Sequence, residues 1–276
     1  MKIYRVKDIL EKLEYCIRHD LPFSHIRFGD GGLKYMHSIL YKDLKQLDII
    51  VEKEGIPEDS VVEVLELWGY YARKADFIDC PEVYFNKDFW PRIKKVDKPI
   101  NKGTKDKLYN WKKYYYNCEI DNESYCNPES NFLMTLRLAK NRPNILDVMR
   151  NKKICIITAK PGIKNALRAY NHYVDIVPIA GHYGNQYRKS FNDVVKNIKE
   201  NARGYDFWLV AAGELGRIYS GLIKEYGGRT IDIGFVIEFW LGEELHERFE
   251  PFMKRSRDHF LETILITGGI PFKGYI

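Results

Sequence analysis

Between residues 151 and 276 short apolar runs alternate with helical patterns. Ile154-Cys155-Ile156-Ile157, Val174 to Val177, Phe207 to Val210 and a shorter run within Arg229 to Ile233 are each brief and apolar enough for a buried strand. Between them, Ile163 to Tyr170, then Phe191, Val194, Val195 and Ile198, then Leu215 to Tyr226 closed by Gly227-Gly228, follow helical spacing. Strands that alternate with helices imply a parallel sheet covered on both faces. The expected class is therefore α/β, a Rossmann-like doubly wound, mainly parallel sheet.

The amino-terminal region adds a smaller unit of the same kind. Val6, Ile9, Leu10, Leu13, Cys16 and Ile17 give a helix with one buried face, ended by Asp20-Leu21-Pro22. Phe23 to Phe28 reads as a short strand, and Gly29-Asp30-Gly31-Gly32 as a turn opening a helix through Leu33, Met36 and Leu40. From Lys42 to about Asn122 the chain reads as mainly helical and charged, with Val61, Leu65, Trp68 and Ala72 on one helix face and a brief strand-like run at Phe77-Ile78. The lysine-rich part from Lys87 to Lys113 reads as exposed loop with short helix, and Asn127-Pro128 as the start of a helix through Phe132, Leu133 and Leu136. The expectation is one domain over 1–276: a first unit at 1–41, a mostly helical insertion at 42–150, and a βαβαβ half at 151–276.

Composition narrows the function classes. No stretch approaches the roughly 18 consecutive apolar residues of a membrane span, and Met1-Lys2-Ile3-Tyr4-Arg5 leads into an amphipathic pattern rather than a signal-peptide block. Cys16, Cys80, Cys118, Cys126 and Cys155 are scattered, with no C-x-x-C pair, and the 7 histidines show no metal-ligand spacing. A zinc site or disulfide framework is thus not expected, and a cytoplasmic setting is. The net charge of +6 suits an anionic ligand without demanding nucleic acid.

In open parallel sheets ligands sit at the carboxyl ends of the strands, so the turns leaving each strand carry the chemistry. Ala211-Ala212-Gly213-Glu214-Leu215-Gly216 combines small residues with a helix start, which admits an anion or merely close helix-to-sheet packing. Asp232, before Gly234, either faces the ligand edge or caps the next helix, and Glu238 falls where a general base could stand or is an ordinary surface acid. Arg27-Phe28-Gly29-Asp30-Gly31 puts a cation and a carboxylate in one turn, for phosphate and a divalent cation or ribose, or for each other. Lys160, after the strand at 154–158, is a candidate phosphate contact. The Ala180 to Lys189 loop, with His182, Tyr183, Asn185, Gln186, Tyr187 and Arg188, reads as polar donors or as a solvated loop.

At these turns the chain resembles the GT-D type glycosyltransferases. The matching residues are Ile26-Arg27-Phe28-Gly29-Asp30-Gly31, then Ala211 through Tyr219, Gly227-Gly228, Ile231-Asp232-Ile233-Gly234 and Trp240. The resemblance implies a Rossmann-like nucleotide-sugar domain and transfer of a sugar from a nucleoside diphosphate donor, with Mn2+ or Mg2+ held by an Asp-x-Glu pair in the first block. This chain reads Asp30-Gly31-Gly32 there. Asp30 is then the metal ligand that remains, Asp232 or Glu238 is a second source of carboxylate, and Arg27 with Lys160 offers cationic neutralisation instead.

The expected enzyme is a hexosyl- or pentosyl-transferase that favours a UDP-sugar and acts on a glycan, protein-linked glycan or modified nucleic-acid acceptor. Its nucleotide-sugar site comprises Arg27, Phe28, Gly29, Asp30, Gly31, Lys160, Ala212, Gly213, Glu214, Gly216 and Gly234, with Glu238 as catalytic base and Asp232 as its rival. The other class is a noncatalytic module in which Lys87 to Lys113 and Tyr114-Tyr115-Tyr116 bind nucleic acid or an acidic glycan; its binding would weaken steeply with salt.

Overall fold

A strand buried on both faces needs apolar side chains in both directions, and Ile154 to Ile157 and Phe207 to Val210 meet that need. In the computed structural model, residues 2–4, 6–27, 51–79, 124–126, 145–168, 171, 173–181, 184–234 and 236–241 are described. Among them β1 (Lys2–Tyr4), α1 (Val6–Arg18), β2 (Phe23–Ile26), α2 (Val61–Lys74), β3 (Phe77–Asp79), β4 (Ser124–Cys126) and α3 (Ile145–Met149) precede the regular half. There follow β5 (Ile154–Thr158), α4 (Ile163–Leu167), β6 (Val174–Pro178), α5 (Gln186–Asn201), β7 (Phe207–Ala211), α6 (Gly216–Glu225), β8 (Arg229–Asp232) and α7 (Val236–Trp240).

The strands form one sheet in the order β1-β4-β3-β2-β8-β7-β5-β6, with each neighbouring pair parallel. The doubly wound α/β class expected from the sequence is present. Alternate residues divide between two cores. Cys155, Ile157, Trp208 and Val210 join α2, α5 and α6 on one face, and Ile154, Ile156, Phe207, Leu209 and Ile231 join α1, α3, α4 and α7 on the other.

Because both faces are apolar, side-chain pattern alone specifies register weakly. Polar pairs at the amino-terminal edge supply it instead. The Lys153 N–H donates to the Asp206 carboxylate at 2.7 Å, and the Asp206 N–H donates back to the Lys153 carbonyl at 2.8 Å. The same reciprocal pair joins Ser24 and Asp76, at 2.8 and 3.0 Å, between β2 and the start of β3.

The strand-like run expected at Phe77-Ile78 is β3, and the stretch at 42–150, expected as mostly helical, also contributes β4 to this sheet. Neither β4 nor β1 exceeds three residues, too short for a period-2 signal to emerge from sequence. The polar loop expected from Ala180 to Lys189 is shorter than read. Helix α5 begins at Gln186, since Gln186, Ser190, Val194 and Ile198 line one buried face. Residues 51–54 are helical, and the following Gly55, at φ 68°, lies where a Cβ would stand 2.7 Å from the Asn185 Cα. The helices at 33–40 and 127–136, and the lysine-rich part at 87–113, lie outside the described residues.

Candidate functional site

The chain leaves β7 for α6 on one face of the sheet and leaves the adjacent β8 for α7 on the other. On its far side β7 pairs with β5, whose helix α4 also lies on the face opposite α6. Strand order therefore reverses beside β5, and the turns after β5, β7 and β8 diverge around a common edge. This is the switch-point geometry at which open α/β sheets hold ligands.

After β7 the chain turns tightly. Gly213 takes φ 54°, a 3-10 turn covers Gly213–Leu215, and the Gly216 N–H donates to the Ala212 carbonyl at 3.1 Å. Gln186 Nε2 donates to the same carbonyl at 3.2 Å, so the start of α5 also holds this turn. A Cβ on Gly216 would stand 3.2 Å from Val210 Cγ1 and 3.9 Å from Asp232 Oδ2, which puts the first turn of α6 against the Asp232 carboxylate. Asp232 is only 4% exposed, and its Oδ1 accepts the Gly234 N–H at 3.1 Å.

Two arginines tie these turns to β2. Arg27 Nη1 donates to the Ile233 carbonyl at 3.3 Å, and Gly234, at φ 51°, lies where a Cβ would collide with that same nitrogen. Arg217, on the first turn of α6, donates from Nε to the Arg27 carbonyl at 2.8 Å and from Nη1 to the Glu214 carboxylate. Its guanidinium carbon lies 4.1 Å from the centre of the Trp68 ring, a cation–π contact with α2. Burial of Tyr219, one helical turn below Gly216, pushes its phenol well above the usual tyrosine range, with Glu54 acting in the same direction.

Of the sequence-derived candidates, Arg27, Ala212, Gly213, Glu214, Gly216, Asp232 and Gly234 thus come together at adjacent strand ends. Lys160 follows β5 at the same edge, half-buried, with its N–H donating to Thr158 Oγ1 at 3.0 Å. Glu238 is exposed on α7, while Val236, Ile237 and Trp240 anchor that helix in the core. Phe28, Gly29, Asp30, Gly31, His182 and Tyr183 lie outside the described residues. The sequence placed Arg217 in the Ala211 to Tyr219 block and Trp68 on a helix face, with no site role expected for either. A buried arginine is indistinguishable from a solvated one in a helix pattern; besides the block itself, Glu214 three residues before Arg217 has the spacing of a helical ion pair.

Among the described residues no three His, Cys, Asp or Glu side chains are grouped as metal ligands. Glu214 is engaged by Arg217, and Asp232 by the Gly234 N–H. Asp30, the metal ligand expected from the resemblance, lies outside the described residues. A groove of about 700 Å3, lined by Asn151, Lys153, Lys164, Tyr173, Val174, Asp175 and Asp206, lies at the amino-terminal edge, across the sheet from these turns.

The parallel sheet with helices on both faces is an α/β fold that matches a glycosyltransferase-like fold. Two solved structures of the domain of unknown function 1792 share it. A selenomethionine-substituted form matches with a TM-score of 0.56 at 16% identity, over 86% of this chain and 79% of that one. A second, reported as a highly conserved domain with a distinct glycosyltransferase fold, matches with a TM-score of 0.53 at 17% identity, over the same 86% and 79%. No protein-family model and no curated protein matches the chain by sequence. Among the described residues no helix is long and apolar enough to cross a membrane.

Proposed function

We propose that the protein is a nucleotide-sugar-dependent glycosyltransferase, a hexosyl- or pentosyl-transferase that favours a UDP-sugar. The observation that carries this reading is the meeting of Arg27, the Glu214–Arg217 pair and the Asp232–Gly234 turn at adjacent strand ends of this fold. Gly213, exposed at the strand end beside the buried Ala212 and Gly216, lets a ligand approach the backbone, and the start of α6 offers positive potential to a diphosphate. Arg27 and Lys160 are the cations assigned to the donor phosphates. Asp30 is the first residue to test as a ligand of Mn2+ or Mg2+.

In the transfer, an acceptor hydroxyl oxygen bonds to the anomeric carbon as the bond from that carbon to the diphosphate oxygen breaks. The hydroxyl proton passes to a carboxylate and the nucleoside diphosphate leaves with the electron pair. Glu238, exposed on a helix that starts at the ligand edge, is the assigned base, with Asp232 as rival. The leaving diphosphate gains negative charge, so cations at its position stabilise the transition state more than the ground state. The acceptor class assigned is a glycan, protein-linked glycan or modified nucleic acid.

Calorimetric titration with UDP-, GDP- and dTDP-sugars, with and without Mn2+ or Mg2+, tests the reading. Saturable binding of one donor supports it, and absence of binding under every condition overturns it.

A further inference from the structure

Ligand-edge turns of an open sheet have no ladder partner beyond the strand ends, so something else must fix the distances between them. Here the tie is a series of side-chain contacts. Trp68 on α2 backs the Arg217 guanidinium at 4.1 Å, Arg217 Nε holds the Arg27 carbonyl at 2.8 Å, and Arg27 Nη1 reaches the Ile233 carbonyl at 3.3 Å. Arg217 Nη1 is at the same time held by Glu214, inside the turn after β7. Arg217 is 5% exposed, and Gly234 lacks the Cβ that would displace Arg27. The contacts thereby link the turns after β7, β2 and β8, which are far apart in sequence.

We propose that Arg217 and Arg27 act in series as a clasp that sets the spacing of these three turns, which makes Arg217 a positioning residue for the donor; its link to donor binding rests on the function proposed above. The planar guanidinium fork serves two acceptors in fixed directions and stacks on an indole at once, which a lysine ammonium cannot reproduce. Loss of the fork releases the Arg27 main chain first, and through the Arg27 side chain the turn at Ile233 and Gly234. The Ile233 and Gly234 N–H groups both donate to the Val210 carbonyl, at 2.8 and 3.1 Å, so their exchange with solvent reports release of that turn.

The test measures amide hydrogen exchange and UDP-sugar affinity in the wild type, Arg217→Met and Arg217→Lys. Ile198→Ala, on α5 in the same core, serves as a packing control outside the Trp68–Arg217–Arg27 series. The expected result is exchange at Ile233 and Gly234 accelerated about tenfold or more in Arg217→Met, with Ile156 in β5 unchanged. Donor affinity falls in parallel, and Arg217→Lys recovers part of both effects. Exchange at 233 and 234 that is unchanged, or accelerated no more than at Ile156 as in the packing control, overturns the clasp. Accelerated exchange with wild-type donor affinity overturns the positioning role. If the wild type binds no nucleotide-sugar the function fails on its own, and the exchange pattern still decides whether the clasp exists.

Discussion

The Arg217 side chain donates to the main-chain carbonyl of Arg27 across 190 residues of sequence, at 2.8 Å. That bond joins the amino-terminal strand unit to the first turn of α6, so the two blocks quoted for the GT-D resemblance are in physical contact. A hydrogen bond from a charged donor contributes roughly 1.5–3 kcal/mol, enough to hold a turn whose backbone has left the sheet.

Gly234 has no room to change. Its φ of 51° is unfavourable for a side-chain-bearing residue, and a Cβ would collide with Arg27 Nη1. Gly234→Ala is expected to lower stability by about 1–3 kcal/mol, read as a lower urea midpoint at unchanged slope. Under the proposed function it also weakens UDP-sugar binding in calorimetry.

Tyr71 lies against Gly221, where α2 crosses α6, with no space for a methyl group between them. Gly221→Ala should cost about 1–3 kcal/mol through overpacking, despite the better helix propensity of alanine. A thermal midpoint equal to or above that of wild type would refute this close contact.

The assignments of base and donor-edge acid separate kinetically. Glu238→Gln is expected to lower kcat about 100- to 10,000-fold with little change in donor affinity, because Glu238 is exposed on α7. Asp232→Asn should weaken donor binding, since its buried carboxyl group holds the Gly234 N–H beside the first turn of α6. Full turnover by Glu238→Gln would move the base role away from that residue.

Burial drives the Cys155 thiol up to about 12, the nearby Asp175 pushing in the same direction. Less than about one molecule in a thousand carries the thiolate at pH 8, and the thiolate is the reacting form. Iodoacetamide at pH 8 should leave Cys155 unlabelled in the folded protein and modify it after denaturation, as read by peptide mass spectrometry.

Asp20 is held below the usual aspartate range by its hydrogen bond to Arg229, at 2.8 Å, with the arginine's charge acting the same way. The folded state therefore binds this proton less readily than the unfolded chain. The stabilisation is fully present above the unfolded carboxyl value of 3.8 and is lost as pH falls through the lower folded value. Asp20→Asn should thus unfold at lower urea than wild type near pH 6, with the two curves converging under strong acid.

Periodicity made the second half of the fold legible, because Ile154–Thr158 and Phe207–Ala211 are buried on both faces and can be little but interior strands. The same alternation with helices forced parallel pairing and therefore put Ala212, Asp232 and Lys160 at one edge. Three-residue strands such as Lys2–Tyr4 and Ser124–Cys126 carry no comparable pattern, since pairing with neighbours, not their own composition, makes them strands.

Apolar runs must be buried and parallel strands need crossovers, so the class of fold and the edge where a ligand would sit follow from the order of residues alone. That Arg217 is a buried tie rather than a solvated helix residue, and that Gly234 yields its space to Arg27, emerges once the chain is packed. Those outcomes depend on which distant main-chain acceptors arrive within hydrogen-bond reach, a quantity set by the packing of α2, α6 and β2 together.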